Sequence, residues 1–410
     1  MLFSLVMLRS RWLAAFFLFL CPLLFAQTIT DVEVTGLKRT KPHIARYPLE
    51  QFIGRDAAEL DLKDVEAAVK ETGILEPLAV ELAETGEGLV LRVEVDEKWS
   101  IIPMPLVMAG SGGISFGLFL ADTNAFGLRD QAAVGGIYGG GGWMAMTMYN
   151  HTPDRQGPPG WTAAFMYKRQ ENEDADRYKT VYRRYTSDTL RGSLGLYYPF
   201  TGYLTGSAGL SYTDISIKDN SDGFNVPEEG ARLLGFSSGV SLRRSAWDGF
   251  LLAQQSLSLD YTFYLGISGA SYHQLEFQGR YGKSLVPGFH LNVEGSALWK
   301  SGTEALYEEG PGKVHGEILP GSFAARDYAV ISAGFEKYLV KTRHGTLSAL
   351  AAWQGVFSRG TISGDEFDHG PTGGIRFYLS RLAIPALGAG LTYNINSGLY
   401  QFTFNLGMSF

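Results

Sequence analysis

Segments in which every second residue is apolar recur from Trp99 to the end of the chain. The final segment, YQFTFNLGMSF, shows this most clearly, because a period of two predicts a strand with one apolar and one polar face. Its apolar face is formed by Tyr400, Phe402, Phe404, Leu406, Met408 and Phe410. SLSLDYTFYL (256–265) and FHLNVEGSALW (289–299) repeat the alternation. Each such strand needs a core or a lipid phase against its apolar face.

Two architectures accommodate such strands: a soluble β-sandwich and a closed barrel in an outer membrane. Sandwich strands are typically about 5–6 residues long, whereas the segments quoted above are longer and carry aromatic residues near their ends. Charged residues make up only 19% of the chain, below the ~25% of soluble averages, and there are 51 glycines. A barrel with aromatic girdles also leaves no unpaired backbone edge in lipid. These features favour a transmembrane all-β barrel over residues 99–410.

Residues 1–26 have the features of a secretory signal peptide. Arg9 and Arg11 precede an apolar run that is too short for a comfortable membrane-spanning helix, and Ala26 offers a cleavage point. The single cysteine, Cys21, lies within this segment. The mature chain is therefore expected to contain no disulfide.

Residues 27–98 are predicted to form a small separate domain of β-α-α-β-β order. They include 16 acidic and nine basic residues, and such a balance gives no attraction to nucleic acid. Pro48 should shorten or kink the first helix, while Asp61 caps and Gly73 ends the second. A turn at 85–88 splits the final hairpin. The apolar stripe of the second helix is predicted to be Leu62, Val65, Ala68 and Val69.

The connections between the predicted strands alternate in length, which orients the barrel, since such barrels keep short turns on the periplasmic side. Counting back from the C-terminal strand, this alternation predicts 16 antiparallel strands that begin near Ile101. The short connections are predicted at 199–202, 284–288, 340–345 and 380–383. The long connections are predicted at 171–186, 218–230, 302–327 and 358–369.

The layout resembles the BamA- and TamA-like outer-membrane assembly proteins, also called surface antigens, in which periplasmic POTRA domains precede a 16-stranded barrel. VEVTGLKRTK (32–41) and KETGILEPLAVEL (70–82) resemble parts of a POTRA domain, and QFTFNLGMSF resembles the family's C-terminal recognition strand. DTNAFG resembles its turn after the second barrel strand, through Asp122, Asn124, Phe126 and Gly127. Most relatives of this plan carry several POTRA domains, whereas this chain has room for one.

One motif of the family departs from its pattern. The sixth external loop usually carries a Val-Arg-Gly-aromatic motif, whose arginine pairs in the lumen with an aspartate on the strand after next. The matching stretch consists of Leu319, Pro320, Gly321, Ser322 and Phe323, so proline replaces the arginine. On the later strand Trp353, two residues before Gly355, takes the place of the aspartate. Arg326 is a possible substitute anchor, although an ordinary loop arginine is the favoured interpretation.

No sequence motif for catalysis, metal binding or cofactor binding is found. The seven histidines are scattered without metal-ligand spacing, and GxSxG is absent. YGKS (281–284) ends like a phosphate loop, but Phe277 stands where its first glycine belongs. GGGG (139–142) is better explained as a hairpin tip. We expect a protein that is not an enzyme and that needs no cofactor.

The resemblance implies a role in inserting or translocating client proteins at the outer membrane, with residues 27–98 in the periplasm. The POTRA-like domain would receive unfolded clients, and periplasmic proteins are possible further partners. The barrel, surrounded by outer-membrane lipid, would open between Ile101–Met108 and Tyr400–Phe410. Pro103 and Pro105 cannot donate ladder hydrogen bonds, which favours a weak seam there, although they also suit a linker.

A second hypothesis remains open, in which the barrel is adhesive, structural or a passive pore without assembly activity. The missing arginine and aspartate of the loop motif favour this alternative, since the family associates that pair with assembly. The POTRA-like domain favours the first hypothesis.

Overall fold

The fold was analysed in a computed structural model of the 410-residue chain. The described residues are 28–86, 88–110, 113–139, 141–151, 159–218, 223–248, 251–302, 305–308, 318–342, 345–360, 364–379 and 385–406. They form two compact units, one that extends to Ser100 and includes Phe126–Arg129, and one with Ile101–Ala125 and the residues from Asp130 onward. No helix among the described residues is long and apolar enough to cross a membrane.

The N-terminal unit is a three-stranded sheet with two helices, in the predicted β-α-α-β-β order. In chain order its elements are β1 (Ile29–Thr35), α1 (Pro42–Arg46), two 3-10 turns (Tyr47–Phe52 and Ala57–Glu59), α2 (Leu62–Lys70), β2 (Leu75–Thr85) and β3 (Gly88–Glu97). β3 is central, parallel to β1 and antiparallel to β2. The sheet therefore has two edges, β1 and β2.

Local sequence explains how these helices begin and end. Pro48 lies in the 3-10 turn that follows the five-residue α1, which is the predicted shortening. The Asp61 carboxylate caps α2 by accepting from the backbone N–H of Lys63, and Gly73 follows the helix with a φ of +76°. The prediction for Leu62 was wrong: it is 41% exposed. It is the first helical residue, so its side chain lies beyond the edge of the core that takes Val65, Ala68 and Val69.

The loop after β1 holds a carboxylate from the end of β3. Glu97 accepts hydrogen bonds from the backbone N–H groups of Lys38 (2.8 Å), Arg39 (2.9 Å) and Thr40 (2.8 Å). Three successive N–H groups form a concave anion site. Partial burial raises the pKa of Glu97, but the three bonds outweigh that effect and hold the pKa below its ordinary 4.5. The end of β3, where the chain leaves this unit, is thereby fixed to the loop before α1.

The second unit is a 16-stranded antiparallel β-barrel in which each strand pairs with its neighbours in sequence. Its first eight strands are β4 (Ile101–Gly110), β5 (Gly113–Ala125), β6 (Asp130–Gly139), β7 (Gly142–His151), β8 (Gly160–Ala175), β9 (Val181–Pro199), β10 (Leu204–Lys218) and β11 (Ala231–Asp248). The remaining eight are β12 (Leu251–Ser268), β13 (Tyr272–Val286), β14 (Phe289–Lys300), β15 (Asp327–Lys341), β16 (Gly345–Gly360), β17 (Gly364–Leu379), β18 (Pro385–Tyr393) and β19 (Tyr400–Leu406). The predicted fold class, strand number and first strand are confirmed.

Most predicted connections have the expected lengths. Those at 199–202, 284–288 and 340–345 are short turns, those at 218–230 and 302–327 are long, and 139–142 is a hairpin tip. The connection at 380–383 lies outside the described residues.

Two predicted long connections were wrong, because their polar residues belong to strands. Glu171 pairs with Thr186 and Arg359 pairs with Asp365, so the β8–β9 and β16–β17 ladders continue through most of 171–186 and 358–369. Polar residues can form a strand when both faces of that strand are exposed to solvent or lie beside charged groups.

Side chains on the barrel strands alternate as a barrel wall requires. On β12, Leu257, Leu259 and Leu265 are exposed on the outer face, whereas Tyr264 on the other face is buried. The same alternation runs around the other strands, which leaves a broad band of exposed apolar side chains on the outer surface. A contiguous apolar surface of this extent is not typical of a soluble monomer.

We predict that acid destabilises the N-terminal unit through Glu97. Because the folded-state pKa is lowered, the stabilisation is complete above pH ~4.5 and is lost as the pH falls through the folded-state value. Glu97→Gln should remove this part of the pH dependence and weaken the unit near neutral pH. Hydrogen exchange of residues 28–97 in the full chain, corrected for the intrinsic rate, measures the effect.

Glu94→Gln, at an exposed carboxylate on the same strand, is the matched control. Equal acid sensitivity of the wild type and Glu97→Gln would contradict this account.

Candidate functional site

The first and last strands of the barrel pair over a short stretch, which we call the seam. Among the described residues, β4 and β19 pair at three positions: Ala109 with Phe404, Met108 with Asn405 and Val107 with Leu406. By comparison, β4 and β5 pair at ten positions and β18 and β19 at seven. The seam is therefore the least extensively paired junction between neighbouring strands in the described part of the barrel.

The outer surface beside the seam is apolar, as the alternation predicted. Tyr400 and Phe402 are 63% and 58% exposed on β19, whereas Gln401 between them is buried. Met408 and Phe410 lie outside the described residues. Pro103 and Pro105 lie within β4 itself, so two residues of this seam strand lack the N–H that a ladder hydrogen bond needs.

A segment of the long β14–β15 connection folds into the barrel, and we call residues 318–326 the strap. It contains the predicted loop motif, Leu319 to Phe323. The side chains of Ile318, Leu319 and Phe323 are almost completely buried. The backbone N–H of Ala175, at the end of β8, donates to the Ser322 carbonyl at 2.8 Å. The strap therefore forms a short β-bridge with the end of β8.

An apolar patch on the inner wall receives the strap. Inward-facing residues of three strands form it: Leu298 on β14, Tyr328 and Val330 on β15, and Val356 on β16. Phe323 packs in this cluster together with Ile318 and Leu319. Burial of one aromatic side chain of this size stabilises by roughly 1.5–3 kcal/mol, so the strap is held mainly by apolar contact.

Two arginines add charged contacts at the same end of the barrel, where β14 ends and β15 begins, which we call the loop end. Arg183 on β9 pairs with Asp174 on β8 and, at 3.1 Å, with Glu308 of the β14–β15 connection. Arg177, in the β8–β9 turn, lies 3.1 Å from Glu366 and 3.6 Å from Asp368 on β17. These pairs join the β8–β9 turn to both the connection and β17.

The position proposed to replace the lumenal aspartate does not face the lumen. Trp353 is 51% exposed and stacks on His369 at 5.7 Å, and Gly355, two residues later, shares its face. The neighbouring inward positions of β16 are Gln354 and Val356, and the carboxylates that Arg177 contacts lie on β17. Counting the face of each residue along β16 from the inward Ser348 would have corrected this assignment.

Arg326 does not take the role of an anchor that reaches across the lumen. Its guanidinium pairs with the neighbouring Asp327 at 2.8 Å, and its backbone N–H donates to the Arg359 carbonyl. The ordinary-arginine interpretation therefore fits. Sequence reasoning missed Arg177 and Asp368, because neither lies in a motif.

The predicted turn motif spans the end of β5 and the residues after it. The Asp122 carboxylate accepts from the backbone N–H of Asn124 at 3.0 Å, and Asn124 is buried. Phe126 and Gly127 group with the N-terminal unit and both have positive φ, +56° and +75°. A Cβ at Gly127 would lie 2.0 Å from the Arg39 carbonyl oxygen, so only glycine fits there.

The two edges of the N-terminal sheet differ. At the start of β1, the backbone N–H of Ile29 donates to the Arg55 carbonyl and that of Gly54 donates to the Ile29 carbonyl. β2 runs for 11 residues at the other edge and carries Leu78, an exposed residue at an irregularity in its pairing with β3. β2 is therefore the more open edge.

Metal chemistry finds no support in the described residues, where no group of three or more His, Cys, Asp or Glu side chains is arranged to hold an ion.

Comparison with known proteins gives a clear result only for the fold. No protein-family model matches the sequence, and no curated protein does. Among solved structures, BamA from Haemophilus ducreyi lacking POTRA domains 1–3 aligns with a TM-score of 0.63 at 13% identity, over 93% of this chain and 84% of that one. CdiB from Acinetobacter baumannii aligns with a TM-score of 0.64 at 13% identity, over 93% and 74%. CdiB from Escherichia coli aligns with a TM-score of 0.64 at 14% identity, over 93% and 76%.

The chain therefore has the fold of BamA and CdiB, and the structural resemblance expected from its motifs is confirmed. At this identity the likeness concerns the fold. What the barrel does has to be argued from its own residues.

We predict that Phe323→Ala releases the strap without unfolding the barrel. Removing a buried phenylalanine costs about 3–5 kcal/mol, and the loss falls on a segment that can detach from the wall. A cysteine in place of the buried Ala325 reports the release by its rate of maleimide labelling.

Phe357→Ala removes the same side chain from the exposed outer face of β16 and is the matched control. Unchanged labelling in Phe323→Ala would show that apolar packing does not hold the strap.

Proposed function

We propose that this protein is an outer-membrane barrel that assists the insertion or translocation of client proteins. The observation that carries the proposal is the seam, where only three described residue pairs join β4 to β19. The fold shared with BamA and CdiB supports it, as does the POTRA-like order of the N-terminal unit.

The outer surface supports a membrane location. On β9 the outward apolar residues extend from Leu190 to Tyr198, a length of roughly 27–30 Å along the strand. A tilt of ~40° reduces this to about 21–23 Å, close to the ~25 Å apolar band of outer-membrane barrels. Charged side chains occur again beyond this apolar band, where Asp188 pairs with Arg169 at 3.7 Å and with Lys218 at 3.5 Å.

The seam supplies what a client strand needs. A strand that separates from its partner exposes a row of backbone donors and acceptors, and such an edge pairs readily with another chain. Among the described residues, separation of β4 from β19 breaks three pairs, and Pro103 and Pro105 reduce the number of N–H donors on β4.

The N-terminal unit offers a place for an unfolded client at the β2 edge. An extended peptide adds to such an edge through main-chain hydrogen bonds, and its alternate side chains determine which peptides bind best. Exposed Glu81 and Glu84 on β2 favour a client segment with basic residues, and Leu78 favours an apolar one beside them. In this proposal the unit lies in the periplasm and meets clients before the barrel does.

The alternative of a passive pore loses its main support. It rested on the missing loop pair, yet the strap still lies inside the barrel and is held by other contacts. A strap in that position narrows the path for solutes. An adhesive role has no specific observation in its favour.

We predict that locking the seam abolishes client assembly. Ala109→Cys combined with Phe404→Cys places two cysteines at paired positions across β4 and β19. Oxidation should lower the amount of assembled client barrels in the outer membrane by tenfold or more, and a reductant should restore it. Quantitative outer-membrane proteomics with and without this protein first identifies the clients.

The matched control places cysteines at Leu210 and Phe236, a paired position on β10 and β11 far from the seam. A completely oxidised seam with unchanged clients would refute the proposal.

We also predict that deletion of residues 27–98 separates the two hypotheses. An assembly factor that receives clients on its N-terminal unit should lose most of its activity, while the barrel still inserts and migrates as a folded, heat-modifiable species. A passive pore should keep its conductance in planar bilayers. Full retention of client assembly after this deletion would argue against the role given to β2.

A further inference from the structure

Asn394, directly after β18, joins three parts of the barrel through one buried side chain. Its Nδ2 donates to Asp368 Oδ1 at 2.9 Å and to the backbone carbonyl oxygen of Ile318 at 3.3 Å. Asp368 lies on the inward face of β17 and Ile318 begins the strap, and all three residues are 0% exposed. The strap, the wall and the β18–β19 connection therefore share a single amide.

The same side chain fixes the connection that leads into the seam strand. Asn394 Oδ1 accepts from the backbone N–H groups of Asn396 at 2.9 Å and Ser397 at 3.2 Å, as an Asx turn does. On β17, a Cβ at Gly370 would lie 1.8 Å from the Tyr393 carbonyl oxygen, so glycine permits a close approach of β18. The connection that leads into β19 is thus held against β17.

Asp368 receives a second contact from the opposite side of the ring. Arg177 lies in the β8–β9 turn, and β9 and β17 are eight strands apart in a ring of sixteen. Its guanidinium reaches Asp368 at 3.6 Å and Glu366 at 3.1 Å. A buried carboxylate is stable only when charged and polar partners surround it, so Asp368 depends on Arg177 and Asn394 together.

We propose that the Asn394–Asp368 pair couples the strap to the seam, so that displacement of the strap loosens β19 and separation of β19 releases the strap. The proposal rests on the proposed function in treating the seam as the part that opens. The partner that the coupling serves is a strand or loop of a client that enters from the lumen and displaces the strap.

The physical reason for coupling is the shared donor. When the strap leaves, Asn394 Nδ2 loses the Ile318 carbonyl, and a buried polar group without its partner costs about 1–3 kcal/mol. The Asn394 side chain can then lower its free energy by rotating to find a new hydrogen-bond partner. This rotation breaks its bonds to the connection before β19. Coupling of this kind is reciprocal, so a change at either end alters the other.

Asn394→Asp tests the coupling directly. The variant keeps the oxygen that caps Asn396 and Ser397 but replaces the donor to Asp368 and Ile318 with a second carboxylate. Two readouts on the purified full chain follow the two ends: hydrogen exchange of Tyr400–Leu406, and maleimide labelling of a cysteine placed at the buried Ala325. Because Cys21 lies in the predicted signal peptide, the introduced cysteine is expected to be the one thiol that is labelled in the mature protein.

The expected result is that both rates rise together, by about tenfold or more. A rise in only one of them, or in neither, overturns the proposal. Neither readout needs a client, so a failure of the client-assembly experiments leaves this test unaffected.

Glu366→Gln is the matched control, because Glu366 contacts Arg177 on the same inward face of β17. It should leave the exchange of Tyr400–Leu406 within twofold of the wild type. An increase in both rates as large as that in Asn394→Asp would indicate general loosening of the loop end and would overturn the specific role of Asn394.

A second variant changes the strap instead of Asn394, and it tests the coupling even if Asn394→Asp does not fold. Phe323→Ala, which frees the strap, should raise the exchange of Tyr400–Leu406 by several-fold, whereas Phe357→Ala should not. Release of the strap with unchanged exchange of β19 would overturn the coupling.

Discussion

The pairing of backbone N–H and C=O groups between neighbouring strands is the constraint on which this structure depends. Sixteen antiparallel strands satisfy these groups along their length, and an apolar outer surface is tolerable only when they do so. The ring has one junction where the described pairing falls to three positions, between β4 and β19. Any function that requires an open edge is most easily served there, because fewest bonds break.

Inside the barrel, the strap is held mainly by packing against the wall, and charged pairs lie at the same end. The strap buries apolar side chains against β14, β15 and β16. Arg183 on β9 and Arg177 in the β8–β9 turn pair with carboxylates of the connection and of β17. Arg177 comes from the β8–β9 turn, and its acidic partners, Glu366 and Asp368, come from β17.

Asn394 contacts both the strap and the connection that leads into β19, and it thereby links the two halves of the proposed mechanism. A barrel with a weak junction alone would be prone to uncontrolled pairing with other chains. A buried amide that holds both the strap and the connection before β19 would make opening conditional on an event inside the lumen. The N-terminal unit has an open β2 edge, and its Glu97 contacts fix the end of β3 to the loop before α1.

The sequence by itself determined the strand-rich barrel, its 16 strands and the β-α-α-β-β unit, because periodicity, Asp61, Gly73 and Pro48 act on neighbours in the chain. It did not determine that polar residues 171–175 and 181–186 pair as strands, nor that Trp353 faces outward. It also left Arg177, Asp368 and Asn394 unmarked. These residues come from distant strands and meet only because the sheet closes into a ring. No local sequence pattern encodes a contact between strands so far apart in the chain.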